Sequence, residues 1–505
     1  MAPSPNLARV IVTTDMEVDD MNSMIHLALY LNLLDVEAVI YTASQYHFLG
    51  DGIHTLGEVN PHWRTKGRRS YEWEVVPHEP DPEADALREY RPFPEHWCES
   101  LWGNEYAEAW PHLQANAQAA GEPPYPTPAQ MIERTYEGNV AFEGDVRAET
   151  PGSRKIAEAI LDDDPRTLWL LSWGGMNTIV RALMSIAERY RDTPEWHAVQ
   201  QRVYSKVRVM GVTDGVGQDN SWFDHGKGPF PELAFWCVPH MYGGYVDAKM
   251  TQEDSIELFR APWPEQNLTR GNGPLMERYM LYGDGKVYEN EPERFQFGKH
   301  ARLDWGLEGM PALQFNPGDF MAEGDSMTYI PLLPFGLRGA DNRGFDTVLG
   351  RMFIDGRPDT DAPAGFDAIG SPTKGNPNPY LRAYQEDFAA RAQWCNAVPQ
   401  TCSHPVRIGN VTADRIVAAG DSVELAATVE DLDERGFDAR WNIALAPTTY
   451  SGAHDLSLWQ QCDLDTTFAV PADVQSGDRI VLTLTVRTRA TRPTTRYAQL
   501  ALTVA

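Results

Sequence analysis

The chain has 505 residues, 42% hydrophobic and 23% charged, a composition typical of a globular protein of roughly two to four domains. Its formal net charge of −29 repels nucleic-acid phosphates, which excludes nucleic acid as an expected partner, and favours bound cations. No apolar run approaches the roughly 18 residues of a membrane span, so no membrane partner is expected. The opening MAPSPNLARV lacks a signal-peptide core, which predicts a cytoplasmic protein or a secreted or periplasmic one whose leader was removed.

The first informative stretch is an apolar run at Val10–Val12, which predicts a strand, followed from Met21 by apolar residues at helical spacing. The acids between them are Asp15, Glu17, Asp19 and Asp20. Clustered carboxylates repel each other and resist burial, so the most favourable partner is a hard divalent cation, with Ca²⁺ as the first candidate. Alternatively, Asp19 or Asp20 only caps the helix.

A second apolar run at Val36–Thr42 completes a β-α-β pattern, which predicts a parallel sheet with a right-handed crossover. Ligands of such open sheets bind at the carboxyl ends of the strands. The acids after the first strand lie at one such end. Gln45, which follows the second strand, is therefore a candidate substrate-binding residue.

Residues 60–126 interrupt this pattern with many Trp, Pro, Glu and Arg residues, which predicts an insertion or lid. Trp97, Trp102 and Trp110 could line a sugar site, although such residues more often pack an insertion against the body of the protein. Further elements are predicted from local signals. These are a helix starting at Thr127-Pro128, a helix over Ser153–Leu161, strands over Leu168–Ser172 and Val203–Val212, and helices ending at Tyr190 and spanning Leu381–Trp394.

The loop after the strand at Val203–Val212 is crowded with polar groups. Asp219 and Asn220 could hydrogen-bond the vicinal hydroxyls of a ribose, and Trp222 could stack on a sugar or a base. The alternative is a solvated turn, because Asp, Asn and Gly are common turn residues.

From about residue 405 the pattern changes to short strands separated by turns. Predicted strands are Val423–Val429, Arg440–Leu445, Ile480–Val486 and Leu500–Val504. This pattern predicts an Ig-like β-sandwich at 405–505, after a first domain at 1–404. Cys395 and Cys402 could form a disulfide or remain free thiols; an odd total of five cysteines is no disulfide framework.

The segment TTDMEVDD resembles the Asp-x-Asp-x-x-x-Asp-Asp signature of nucleoside hydrolases. TTDMEVDDMNSMIHL and the later Glu323–Ser326 resemble more closely a nucleoside-hydrolase-like family, often labelled cellulose-binding, with a C-terminal Ig-like domain. The resemblance implies an α/β fold: an open, mostly parallel sheet flanked by helices. Because nucleoside hydrolases are commonly oligomeric, a homo-oligomer is a further expectation.

The resemblance also implies roles for individual residues. Ca²⁺ would be held by Asp15, Asp20, Asp325 and the carbonyl of Ser172. Asp15 would act as the catalytic base, and the substrate would contact Asp19 and Asn177. Gly324 stands where nucleoside hydrolases usually carry a histidine linked to the leaving base, so the leaving-group acid is open. Loop histidines His47, His54 and His225 are weak candidates, because such residues usually lie at the surface.

The function implied is Ca²⁺-dependent hydrolysis of an N-ribosyl, nucleoside-like bond by a metal-bound water. Two alternatives stay open. One is a hydrolase of furanosyl O-glycosides that uses the same pocket. The other is a non-catalytic protein that binds a carbohydrate such as cellulose. The expected ligand is accordingly a nucleoside, a furanosyl sugar or a polysaccharide.

Overall fold

A computed structural model describes most of the chain. The described residues are 7–44, 47–60, 85–211, 228–237, 255–287, 304–305, 313–314, 316–320, 323–340, 344–354, 379–456 and 463–505.

A seven-stranded sheet forms the centre of the first part of the chain. Its strands are β1 (Ala8–Thr14), β2 (Leu34–Tyr41), β3 (Thr135–Glu137), β4 (Leu168–Trp173), β5 (Val207–Gly211), β6 (Phe235–Cys237) and β9 (Phe353–Ile354). Between β6 and β9 in the chain, β7 (Asp304–Trp305) and β8 (Leu313–Gln314) form a separate antiparallel pair. Their order is β3-β2-β1-β4-β5-β6-β9. Neighbouring strands run parallel up to β6, and β9 pairs antiparallel at the edge. The predicted open, mostly parallel sheet is confirmed.

Helices cover both faces of this sheet. They are α1 (Val18–Ala28), α2 (Leu56–Val59), α3 (Trp97–Gly103), α4 (Glu105–Ala120), α5 (Pro128–Glu133), α6 (Pro151–Leu161), α7 (Asn177–Tyr190), α8 (Trp196–Lys206), α9 (Gly273–Glu277) and α10 (Leu381–Trp394). Because side chains alternate along a strand, Val10 and Val12 join the core shared with α1, α3, α4 and α10. Ile11 faces the opposite core, with α6, α7 and α8.

Local capping explains several helix starts. Thr127 and Thr150 each accept a hydrogen bond from a backbone N–H at the third helical position, and a proline follows each of them. The predicted strand at Val203–Val212 is wrong at its start, because α8 continues to Lys206. Val199 and Val203, one helical turn apart, both face the core, which favours helix there.

The second half of the predicted insertion belongs to the core. Trp97 and Trp102 are buried with α3 and α4, and Trp102 donates a hydrogen bond to Thr135 Oγ1 at 3.2 Å. Trp110 packs against the same core. These tryptophans therefore pack the insertion against the sheet, whereas residues 61–84 lie outside the described residues.

The C-terminal part is all β. A four-stranded sheet contains β11 (Arg415–Val417), β17 (Thr495–Val504), β16 (Arg479–Thr488) and β14 (Phe437–Ile443). Two strand pairs accompany it: β10 (Arg407–Gly409) with β13 (Thr428–Glu430), and β12 (Ser422–Leu425) with β15 (Thr466–Ala469). The sheets share one apolar core. The Ig-like class and the boundary at 404/405 stay predictions.

One predicted C-terminal strand is divided. The sequence predicts a strand over Val423–Val429, but β12 ends at Leu425 and β13 begins at Thr428. Between them, the backbone of Ala426 bonds to Thr412, with Ala426 N–H donating to Thr412 Oγ1 at 2.8 Å. This contact removes Ala426 from strand pairing, so the chain passes from one sheet to the other.

Cys395 and Cys402 are both buried free thiols, so the disulfide alternative does not apply to this structure.

None of the helices in the described part of the chain has the length and apolar character of a membrane span.

Candidate metal and sugar site

The carboxyl ends of β1 and β4 are neighbours and bring the first predicted site residues together. The strands pair in register, with Thr13 beside Ser172 and Thr14 beside Trp173. Asp15 lies one residue beyond β1, where its backbone N–H donates to the Trp173 carbonyl at 3.1 Å. Asp15 and Ser172 therefore occupy the same edge of the sheet.

The loop from β1 to α1 holds its acids in a fixed arrangement. Met16 is buried with a left-handed φ of 59°, which is unfavourable for a residue with a side chain and turns the chain sharply. Thr14 Oγ1 stabilises this turn by accepting from the Met16 N–H at 3.2 Å and donating to Asp20 Oδ1 at 2.5 Å. Asp19 and Asp20 lie in the first turn of α1, where the helix dipole favours negative charge.

Asp325 joins these acids from a distant part of the chain. One oxygen each of Asp19, Asp20 and Asp325 lies within 4.8 Å of the others. The Asp20 carboxyl also interacts with the carboxyls of Asp15 and Asp325. Asp15, Asp20 and Asp325 are buried, and Asp19 is partly exposed. We call these four aspartates the acidic cluster.

Burial and mutual repulsion make the acidic cluster hard to ionise. Burial, followed by the charge of Glu17, raises the pKa of Asp15 to about 7. Burial also raises the pKa values of Asp19, Asp20 and Asp325 well above the usual range, and the neighbouring carboxylates add to the effect. A positive charge at this position would favour the ionised carboxylates and so offset both effects on their pKa values.

The Asp325 segment is anchored to the end of β4. A 3-10 turn spans Ser326–Thr328, and Thr328 Oγ1 donates to the Asp325 carbonyl at 2.9 Å. The same hydroxyl accepts a hydrogen bond from Trp173 Nε1 at 2.7 Å. This chain of contacts fixes Asp325 relative to the strand whose end contacts Asp15.

Two glycines leave the space that the carboxylates occupy. A Cβ atom added to Gly174, whose φ is +100°, would lie 2.6 Å from Asp15 Cγ. A Cβ atom added to Gly324 would lie 2.2 Å from Asp19 Oδ2. Gly324 is the position at which the resemblance leads us to expect histidine, so in this chain the Asp19 carboxylate fills that space.

Ser172 and Asn177, two further predicted site residues, lie at this edge of the sheet. Ser172 is buried at the end of β4 and donates to the Gly174 carbonyl at 3.1 Å. The buried Asn177 accepts from Thr42 Oγ1 at 2.8 Å and donates to the carbonyls of Asn139 and Phe142. These contacts give Asn177 a structural role. The predicted metal contact of Ser172 and the predicted substrate contact of Asn177 stay predictions.

Several predicted site residues lie outside the described residues, namely Gln45, Asp219, Asn220, Trp222 and His225. Their proposed contacts with a sugar or a base also stay predictions.

The structure adds one cationic side chain that the sequence pattern does not reveal. Arg91, from the insertion, is buried and pairs with Glu17 at 3.2 Å. Its carbonyl lies 2.6 Å from His47 Nδ1 and can only accept a hydrogen bond, so this nitrogen carries the proton. Burial, and then the charge of Arg91, lowers the pKa of His47, so the ring is neutral near pH 7 and unsuited to act as a cationic acid.

The remaining histidine candidate, His54, lies near the protein surface beside Asp51. It is partly exposed, and its Nδ1 lies 2.7 Å from Asp51 Oδ2.

The mostly parallel sheet and the helices on both of its faces form a nucleoside-hydrolase-like fold, which carries the acidic cluster at the carboxyl end of the sheet.

A family model described as "Cellulose-binding Sde182, nucleoside hydrolase-like domain" matches residues 9–351, and the chain belongs to this family. A solved structure from Saccharophagus degradans is similar over 99% of this chain and 100% of its own, with 20% identity and a TM-score of 0.63. That protein is described as nucleoside hydrolase-related and associated with carbohydrate metabolism. At this identity the similarity establishes the fold. No curated protein matches the chain.

Proposed function

We propose that the chain binds a divalent cation, with Ca²⁺ as the first candidate, and hydrolyses the glycosidic bond of a sugar with vicinal hydroxyls. The main support for this proposal is the convergence of Asp19, Asp20 and Asp325, whose oxygens lie within 4.8 Å of one another. Among the described residues, no lysine or arginine forms an ion pair with these three or with Asp15. A set of carboxylate oxygens that is mostly buried and has no cationic partner among the described residues fits a hard cation.

The proposed ligands are Asp15, Asp20, Asp325 and the carbonyl of Ser172. When bound, the cation supplies positive charge and positions for sugar hydroxyl oxygens. Opposite charge nearby favours the ionised form of Asp15, which is the form that accepts a proton from an attacking water. Asp19 is partly exposed and suits a hydrogen bond from a sugar hydroxyl.

An N-ribosyl bond is our first candidate for the bond cleaved, because of the family to which the chain belongs. The leaving-group side favours keeping a furanosyl O-glycoside as an alternative. Gly324 brings no side chain to this side, and His47 is neutral near pH 7. Neither residue therefore supplies a proton in the manner of a cationic histidine.

A substrate screen tests this proposal directly. The full chain is incubated with excess Ca²⁺ and a panel of nucleosides and aryl furanosides, and the released sugar is measured. We expect release from one of the two classes, loss of release with chelator, and a strong loss of turnover in the Asp15→Asn variant. Full turnover by Asp15→Asn would refute its role as base.

A second candidate function is non-catalytic carbohydrate binding, which the description of the family as cellulose-binding favours. Sedimentation of the protein with cellulose distinguishes the two functions. Retention on cellulose with no sugar released from any substrate would favour binding. Release of sugar without retention would favour the hydrolase.

A further inference from the structure

A buried polar group lies directly behind the acidic cluster. His26, on α1, and Glu323 are both fully buried, and His26 Nδ1 lies 2.8 Å from Glu323 Oε2 and 3.0 Å from Oε1. The Tyr279 hydroxyl donates a second hydrogen bond to Glu323. A buried carboxylate is costly unless it is hydrogen-bonded, and the Glu323 carboxylate contacts both the His26 ring and the Tyr279 hydroxyl.

The opposite side of the His26 ring is held equally well. Its Nε2 lies 3.0 Å from the hydroxyl of Tyr384, which belongs to α10. Phe388, one turn further along α10, stacks on the ring with centroids 3.6 Å apart. The imidazole therefore connects α1, the segment before Asp325 and α10 in one fixed geometry.

The connected segments are those that supply the acidic cluster. His26 lies two helical turns after Asp19 on α1, so the two residues share one side of the helix. Glu323 precedes Asp325 by two residues. The His26–Glu323 contact thus joins the two segments whose carboxylates must approach each other against their mutual repulsion.

We propose that Glu323, His26 and Tyr384 are positioning residues that set the separation between Asp325 and the aspartates of α1, and thereby the affinity for a cation. This inference rests on the proposed cation-binding function. Groups that orient metal ligands from behind commonly change metal affinity by about 10–100-fold when they are altered. A Cβ atom added to Gly324 would lie 2.2 Å from Asp19 Oδ2, so the Gly324 backbone lies directly against the Asp19 side chain.

The test uses Tb³⁺, a luminescent ion with Ca²⁺-like oxygen chemistry, and the full chain. The variant Tyr384→Phe removes one hydroxyl of the network and keeps the ring. Its matched control is Tyr106→Phe: Tyr106 is also fully buried in the same core, and its hydroxyl donates to the Pro126 carbonyl at 2.7 Å, away from the network. Tyr384→Phe loses the contacts of its hydroxyl with His26 and Tyr329, and Tyr106→Phe loses the hydrogen bond to Pro126. Thermal unfolding of both variants measures how much stability each loss costs.

We expect Tyr384→Phe to weaken Tb³⁺ binding about 10-fold and Tyr106→Phe to leave it unchanged. The variant Glu323→Gln should weaken it further, towards about 100-fold. Luminescence lifetimes in H₂O and D₂O report the number of waters on the bound ion. This number should rise in Tyr384→Phe and Glu323→Gln but not in Tyr106→Phe, because a displaced carboxylate is replaced by water.

Three outcomes would contradict the inference. If Tyr384→Phe and Glu323→Gln both bind Tb³⁺ with wild-type affinity and lifetime, positioning is refuted while cation binding stands. If Tyr106→Phe loses as much affinity as Tyr384→Phe, the effect is general destabilisation and positioning is again refuted. If the wild-type chain binds neither Tb³⁺ nor Ca²⁺, the proposed function fails, and this inference fails with it.

Discussion

Acidic residues at the two ends of the central sheet differ in whether cationic side chains pair with them. At the amino ends of the strands, the buried Arg9 pairs with Glu37 and Asp162, and Lys206 also pairs with Asp162. Arg166 pairs there with Asp35 and Asp164. At the carboxyl ends, no described lysine or arginine forms an ion pair with any of the four aspartates of the acidic cluster.

The consequences for ionisation are opposite as well. Hydrogen bonds from Arg166 lower the pKa of Asp164 to about 2, whereas burial raises the pKa of Asp15 to about 7. Burial alone does not explain the contrast, because Asp162 is partly buried and its pKa is nevertheless lowered by Arg9 and Lys206. The amino end carries its own counter-charge. At the carboxyl end Arg91 pairs with Glu17, and no described lysine or arginine pairs with the four aspartates, which supports our proposal that the acidic cluster binds a cation.

The largest effect should come from removing a charge at the carboxyl end. In Asp20→Asn we expect loss of most of the Ca²⁺-induced stabilisation, which for a wild-type site reaches about 4 kcal/mol at a thousandfold excess over Kd. Without Ca²⁺ this variant should be at least as stable as wild type, because repulsion in the acidic cluster is relieved. Thermal unfolding with chelator and with excess Ca²⁺ measures both. A wild-type Ca²⁺ response in Asp20→Asn would contradict the proposed role of Asp20 as a Ca²⁺ ligand.

At the amino end we expect the reverse from Arg9→Met. Arg9 is 1% exposed, and its removal leaves Glu37 and Asp162 with weakened compensation. Because these two carboxylates are partly exposed, the loss should lie near the low end for buried ion pairs, about 3 kcal/mol. Denaturant unfolding should show this loss equally with and without Ca²⁺. A loss that Ca²⁺ restores would mean that the two ends are not independent.

The pH dependence of stability should separate the two ends next. Asp15 has a pKa of about 7 in the folded protein and about 3.9 when unfolded, so between these values only the folded state holds the proton. Stability without Ca²⁺ should therefore fall as pH rises from about 4 to about 7. Ca²⁺ binding releases protons, so its stabilising effect should grow over the same range.

Asp164 provides the opposite slope. Its pKa is about 2 in the folded protein, so its contribution is present above about pH 4 and is lost as pH falls towards 2. Thermal unfolding from about pH 3 to about pH 8 measures both slopes. Asp15→Asn is the control and should reduce the fall between about pH 4 and about pH 7, while the raised pKa values of Asp19, Asp20 and Asp325 maintain the remainder. Stability that rises across that range in the Ca²⁺-free wild type would contradict the assignment.

The smallest change in stability should come from Gly324→Ala. The added Cβ meets the end of the partly exposed Asp19 side chain, which can rotate away, so we expect folding to change by no more than about 0.5 kcal/mol. Ca²⁺ affinity should nevertheless fall several-fold, because Asp19 must leave the acidic cluster. Calorimetric titration measures the affinity. Gly103→Ala, where the added Cβ has only one neighbour at 3.8 Å, is the control and should bind Ca²⁺ normally.

Much of the fold was predictable because its signals are local. The apolar runs of β1, β2 and β4 and the caps at Thr127 and Thr150 act over a few residues, and α10 spans the predicted Leu381–Trp394. Errors arose where a local signal was ambiguous. The β-branched residues near Val203 suit a strand or a buried helix face, and only packing in the core decided for the helix.

The site divides in the same way. The sequence by itself determined that Asp15, Asp19 and Asp20 follow a strand and open a helix, because these residues are neighbours in the chain. The family resemblance led us to expect Asp325 beside them, and the tertiary structure brings their oxygens together. Only the tertiary structure decided that Arg91 pairs with Glu17 and that His26 contacts Glu323 and Tyr384. Such contacts join residues far apart in the chain, and burial by the whole fold gives their charges the strength that no local pattern encodes.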